Sequence, residues 1–132
     1  MSGQWRITAL DTGTSVIEKS VITYLTDCGK TIRIPRVMWV LQGETTIVVD
    51  TSVPLHGKAA EFIGEHFERS RSQEPANALA GAGVKPNEVE LVLLTPLHWD
   101  HAGNCEMFPE ARDMAQPRGV TYGGAPGRYC GR

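Results

Sequence analysis

Residues 83–104, GVKPNEVELVLLTPLHWDHAGN, run an apolar segment directly into two histidines and an aspartate. Leu91–Leu94 sits in a nearly continuous apolar stretch, which predicts a strand buried on both faces, the central strand of a mixed α/β layer. His98, Asp100 and His101 follow at once, so their side chains are placed at the C-terminal edge of that strand, where open α/β sheets hold ligands. All three residue types donate to zinc, which takes imidazole nitrogen and carboxylate oxygen, usually four donors in a tetrahedron. The H-x-D-H spacing is compact enough to feed two metals, one from His98 and a second from Asp100 and His101. Two adjacent metals suit hydrolysis, because a shared hydroxide is a strong nucleophile at neutral pH. A plainer reading stands beside this one: Asp100 as a helix N-cap, with the histidines as partly exposed loop residues. Spacing alone does not choose between them.

Upstream, Val37–Leu41 and Thr46–Val49 flank a polar QGET and read as a β-hairpin, which Asp50, Thr51 and Ser52 leave before Pro54. The segment QWRITALDTG predicts a strand closing on a turn, and the β-branched residues around 20–26 suggest another. Ala59, Phe62, Ile63 and Phe67 recur at helical spacing, so residues 55–70 read as an amphipathic helix. His56 and His66, on or near that helix, are expected at the surface. A short helix should end at Gly81 or Gly83. Downstream of the cluster, a loop should lead into a short helix stopped near Pro109. Residues 111–132 hold five glycines, two prolines and four arginines against one aspartate. That density opposes regular structure, and a poorly ordered tail is expected there.

The chain has 132 residues, enough for one ordinary domain, and its 41% hydrophobic and 21% charged content is that of a globular protein. A net charge of −2 gives no basic surface for nucleic acid or an anionic membrane. No apolar run approaches the roughly 20 residues of a membrane span, and the N-terminus lacks a secretory layout, so a cytoplasmic location is expected. Cys28, Cys105 and Cys130 are odd in number and form no CxxC pair, which predicts reduced thiols. Cys105, four residues after His101, is a candidate substitute ligand, although a small buried cysteine is the commoner outcome.

The segment 83–104 resembles the signature of the metallo-β-lactamase superfamily, and most of all its N-acyl homoserine lactonase-like branch. That family reads T-H-x-H-x-D-H-x-G here, after G-V-x-P-x-x-V and an apolar strand. TIVVDTS, residues 46–52, is similar to the family's earlier strand, which closes on Asp-Thr-Gly. The likeness covers roughly residues 37–111. It implies an α/β fold like the N-terminal half of the family's αββα sandwich, in a partial domain over residues 1–110. It also implies a zinc-dependent hydrolase that opens a lactone or related ester with metal-bound hydroxide, on up to two zinc ions. By the same resemblance His98 is a ligand of the first metal, and Asp100 and His101 are ligands of the second. Asp100 is also the catalytic candidate beside the attacking water, and Asp50 steadies the metal loops from behind.

Three departures bear on that expectation. Pro96 stands where the family has its leading histidine, and proline has no donor atom for a metal. Ser52 replaces the customary glycine, at a cost of about 1 kcal/mol if positive φ is required there. The family supplies a further histidine, an aspartate and a last histidine downstream, whereas no histidine follows His101. A catalytic zinc normally has three protein ligands, and neither site reaches that number. The expectation is therefore a hydrolase by lineage whose activity is impaired in this chain alone, with a non-catalytic remnant or partner-binding α/β module as the alternative. Half a sandwich exposes an apolar sheet face, so self-association is also expected, with a homodimer as one way to bury it.

Overall fold

The structure is a computed structural model that describes residues 3–54, 66–95 and 97–115. Its strands are β1 (Arg6–Glu18), β2 (Thr31–Gln42), β3 (Thr46–Val49), β4 (His66–Glu68), β5 (Leu91–Leu94) and β6 (Arg112–Ala115). The helices are α1 (Pro75–Gly81) and α2 (Trp99–Ala102), with single 3-10 turns at Lys19–Val21, Arg71–Gln73, Pro86–Glu88 and Cys105–Met107. The strands form one sheet in the order β4-β1-β2-β3-β5-β6. β4, β1, β2 and β3 are joined antiparallel, while β3, β5 and β6 run parallel. This mixed sheet with few helices is the α/β half-sandwich expected from the sequence.

Register sorts the side chains between the two faces. Leu10 pairs with Met38, Val40 with Val48, and Val48 with Val92, so these residues share one face. That face is the core, closed by Leu79, Val84, Val89, Cys105 and Phe108. Fully burying an aliphatic or aromatic side chain of this kind contributes about 1.5–3 kcal/mol. On the opposite face Ala9 pairs with Trp39, Trp39 with Val49, Val49 with Leu93, and Ile47 with Leu91. Trp39 is 42% exposed and Ile7 64%. β5 is thus buried on one face, through Val92 and Leu94, and only half-buried at Leu91 and Leu93, which corrects the expectation of burial on both.

The hairpin of β2 and β3 forms as predicted, with the Gly43 N–H donating to the Thr45 carbonyl across the turn. α1 ends at Gly81, and Gly83 takes φ +73° just beyond it. Several expectations give way. The turn signal at residues 11–13 is a bulge inside a longer β1, where Gly13 has φ +128°. A Cβ on Gly13 would meet the Phe67 ring at 2.5 Å. Phe67 itself belongs to β4, since Thr14 pairs with Glu68 and Val16 with His66. The predicted helix over 55–70 is therefore a strand at its end, and residues 55–65 with His56 lie outside the described residues. His66 is exposed.

The strand suggested over 20–26 is instead a 3-10 turn and a loop, with Tyr24, Leu25 and Asp27 in the left-handed region. Asp27 is ion-paired with both Lys19 and Lys30, which fixes that loop against the β-branched preference of its residues. Arg112–Ala115 pairs with β5, so regular structure continues past residue 111 into the predicted tail. Sheet hydrogen bonding outweighs local composition there. The rest of that tail, residues 116–132, lies outside the described residues.

Candidate functional site

The C-terminal ends of β3 and β5 lie side by side because the two strands are parallel neighbours. Asp50 leaves β3 with φ +60°, and its N–H donates to the Leu93 carbonyl at 2.8 Å. Its carboxylate accepts from the Thr95 N–H at 2.9 Å and from the Thr95 hydroxyl at 2.8 Å. Nδ1 of His101 lies 2.9 Å from Asp50 Oδ2. An ionised carboxylate only accepts, so Nδ1 carries the proton and Nε2 faces away from Asp50. Burial pushes the Asp50 carboxyl up, but His101 and Thr95 outweigh it and hold the group below the ordinary carboxylate range. The Asp50 bond raises the His101 imidazole above its usual value against burial, helped by the charge of Asp100.

His98 is the N-cap of α2, in extended conformation and exposed. Asp100 is therefore not the cap considered from the sequence but a first-turn acid, favourable to the helix dipole. Its Oδ2 lies 3.5 Å from His101 Nε2 and accepts from Arg36 Nη1 at 2.7 Å. Arg36 Nε donates to the Ser15 hydroxyl at 2.7 Å. The side chains of Arg36 and Asp100 are 19% and 14% exposed.

A second set of bonds anchors residues 51–54. The Thr51 N–H and hydroxyl both donate to the His101 carbonyl. Asn104 is buried, and its side-chain NH2 donates to the carbonyls of Thr51, Ser52 and Val53. Ser52 has φ +65°, so the left-handed position where the family prefers glycine holds a serine here. Its hydroxyl joins a relay in which Arg69 donates to Ser52, Ser52 meets Thr12 at 2.6 Å, and Thr12 donates to the Arg36 carbonyl. Gly103 allows this packing, since a Cβ there would stand 2.3 Å from Pro54 Cδ.

Asp50, Asp100 and His101 are thus brought together, and His98 lies exposed at the entrance of α2. Pro96 lies outside the described residues. Among the described residues, no three His, Cys, Asp or Glu side chains converge as a group that could hold a metal ion. The orientation of His101 suits a metal, but the donor count does not, and Asp100 already holds a cation. The described residues therefore do not make a zinc site. Cys105 is fully buried and disulfide-bonded, which corrects the reduced thiol expected there and removes it as a substitute ligand.

Sequence reasoning missed Arg36, Thr95 and Asn104. Arg36 carried a signal: alternation along β2 places it on the same face as Met38 and Val40, a charge directed to the core side. Thr95 and Asn104 had none beyond lying in the motif.

The Metallo-beta-lactamase superfamily model matches residues 32–128, and the chain belongs to that family. The fold is similar to an N-acyl homoserine lactone hydrolase solved with the product N-hexanoyl-L-homoserine at its catalytic metal centre. The TM-score is 0.79 at 22% identity, over 92% of this chain and 52% of that one. A mutant of AiiA from B. thuringiensis with N-decanoyl-L-homoserine at its active site gives 0.78 at 22% identity, over 92% and 52%. AidC, a dizinc quorum-quenching lactonase, gives 0.67 at 16% identity, over 91% and 44%. The chain spans about half the length of these solved structures. Curated protein sequences return no match. No helix among the described residues is long and apolar enough to cross a membrane.

Proposed function

We propose that this chain is the N-terminal half of a metal-dependent hydrolase of the lactonase-like branch, and that it does not hydrolyse its substrate alone. The substrate class is a lactone or related ester, as in the structural neighbours. The supporting observation is the Asp50 carboxylate, which ties Thr95 at the end of β5 to His101 on α2 at the C-terminal edge of the sheet. A carboxylate bonded to the far nitrogen of an imidazole fixes the tautomer that offers its other nitrogen to a metal. In a completed site, with Arg36 displaced from Asp100, the residues His98, Asp100 and His101 would be the zinc donors contributed by this chain, and Asp100 would be the residue beside the reacting water. No hydrolytic step is assigned to the described residues by themselves. Association of two copies through the Trp39 face belongs to the same proposal. Two like sheets packed face to face would restore a sandwich, and the chain has half the length of its neighbours.

A second reading, a non-catalytic α/β module with little or no metal binding, is favoured by the Arg36–Asp100 pair. Zinc content and melting temperature separate the two, measured with and without added zinc on the natural chain and on Pro96→His. Zinc at 100 times its dissociation constant should stabilise the folded state by roughly 2.7 kcal/mol. The hydrolase lineage predicts that Pro96→His takes up zinc and melts higher with it. No bound zinc and no thermal shift in either protein would rule that lineage's metal site out of this chain.

A further inference from the structure

We propose that Arg36 is a built-in cation that neutralises Asp100 and keeps a metal from it, so that this half-site is held together by an ion pair. Arg36 reaches Asp100 from a strand on the other side of β3, across 64 positions of sequence, with Nη1 2.7 Å from Oδ2. It is aimed rather than draped: the Ser15 hydroxyl accepts from Nε and fixes the plane of the guanidinium. Ser15 is fully buried, and both members of the ion pair are mostly shielded from solvent. A shielded pair of this kind resists screening and is costly to break from one side.

Asp50 and Asp100 bring two carboxylates to opposite nitrogens of one imidazole. Such a cluster requires a compensating positive charge, which a divalent ion would ordinarily supply. Here the charge at Asp100 comes from the chain itself, and a metal could enter only by displacing Arg36. The inference stands on this geometry and does not depend on whether a completed enzyme opens lactones.

Three measurements test it. In a double-mutant cycle on the full chain, Arg36→Gln and Asp100→Asn should each lower the folded-to-unfolded ratio about tenfold or more. The double substitution should cost no more than the worse single one, whereas additive effects would overturn the pairing. Zinc titration followed by bound metal and melting temperature should give at least about tenfold tighter binding in Arg36→Gln than in the natural chain. Arg36→Lys, which keeps the charge, should stay closer to the natural chain, and equal zinc binding by all three would overturn the proposal. If no Arg36 variant folds, nitrogen NMR of the natural chain suffices. The Arg36 Nε–H signal should be protected and unmoved by zinc in molar excess, and its loss on zinc addition would overturn the proposal.

Discussion

Asp50 Oδ2 and His101 Nδ1 lie 2.9 Å apart although 51 positions separate them in sequence. The imidazole is raised above its ordinary 6.5, first by the Asp50 bond, so its contribution to stability is complete below 6.5 and is lost as pH rises through the higher folded value. Asp50 is depressed below 3.8, since His101 and Thr95 overcome burial. Its contribution is present above 3.8 and is lost as pH falls through the lower folded value. Melting temperature in metal-free buffer should therefore be greatest between those limits and decline on the alkaline side. His101→Gln should remove that alkaline decline, and a decline that persists unchanged in this variant would assign it to other groups.

Ser52 separates backbone strain from side-chain bonding. Ser52→Ala and Ser52→Gly both lose the bonds to Thr12 and Arg69, worth about 1–2 kcal/mol together. Only glycine also relieves the left-handed φ of +65°, a gain of about 1 kcal/mol. Denaturant midpoints should rank the natural chain and Ser52→Gly close together, with Ser52→Ala clearly lower. An alanine variant as stable as the glycine variant would show that the position carries no strain.

Asn104 serves three carbonyls that are remote from it in sequence and buried with it. Asn104→Ala should cost about 1–2 kcal/mol, because the buried Thr51 carbonyl loses its donor, while the Ser52 and Val53 carbonyls keep the Gly103 N–H and Arg69. Asn104→Asp should be at least as damaging, since it replaces the donor with a second acceptor. Urea unfolding of both variants checks the ranking.

Trp39 places a large, 42%-exposed side chain on the half-exposed sheet face. Sizing chromatography with light scattering should find the natural chain associated and Trp39→Glu shifted toward monomer. A natural chain that is monomeric throughout would remove self-association from the proposal.

The β2–β3 hairpin, β5 and α1 were legible because each rests on short-range pattern: alternation, an apolar run, a turn, a glycine stop. The short helix expected after a loop and stopped near Pro109 was misplaced: the helix lies earlier, at Trp99–Ala102 behind His98, and Cys105–Met107 is a single 3-10 turn. Residues 66–68 were not, because Phe67 obeys a helical period while its actual partner is the bulge at Gly13, 54 positions earlier. Residues 112–115 were not, because their neighbours in sequence are glycine- and proline-rich and only pairing with β5 makes them a strand. In the candidate site, spacing pointed to the cluster but not to what surrounds it. The pairing of Arg36 with Asp100 depends on sheet order, which no local window contains.

The segment from Asp50 to Val53 also has a kinetic meaning. It is held by Thr95, His101 and Asn104, partners 45 to 53 positions away, and two of its residues sit at positive φ that local preference does not supply. Contacts at such separation are favourable only after the intervening chain has closed, so this segment should order late, once β5 and α2 are already docked. Damage to it should then appear chiefly as faster unfolding, with the rate of folding little changed.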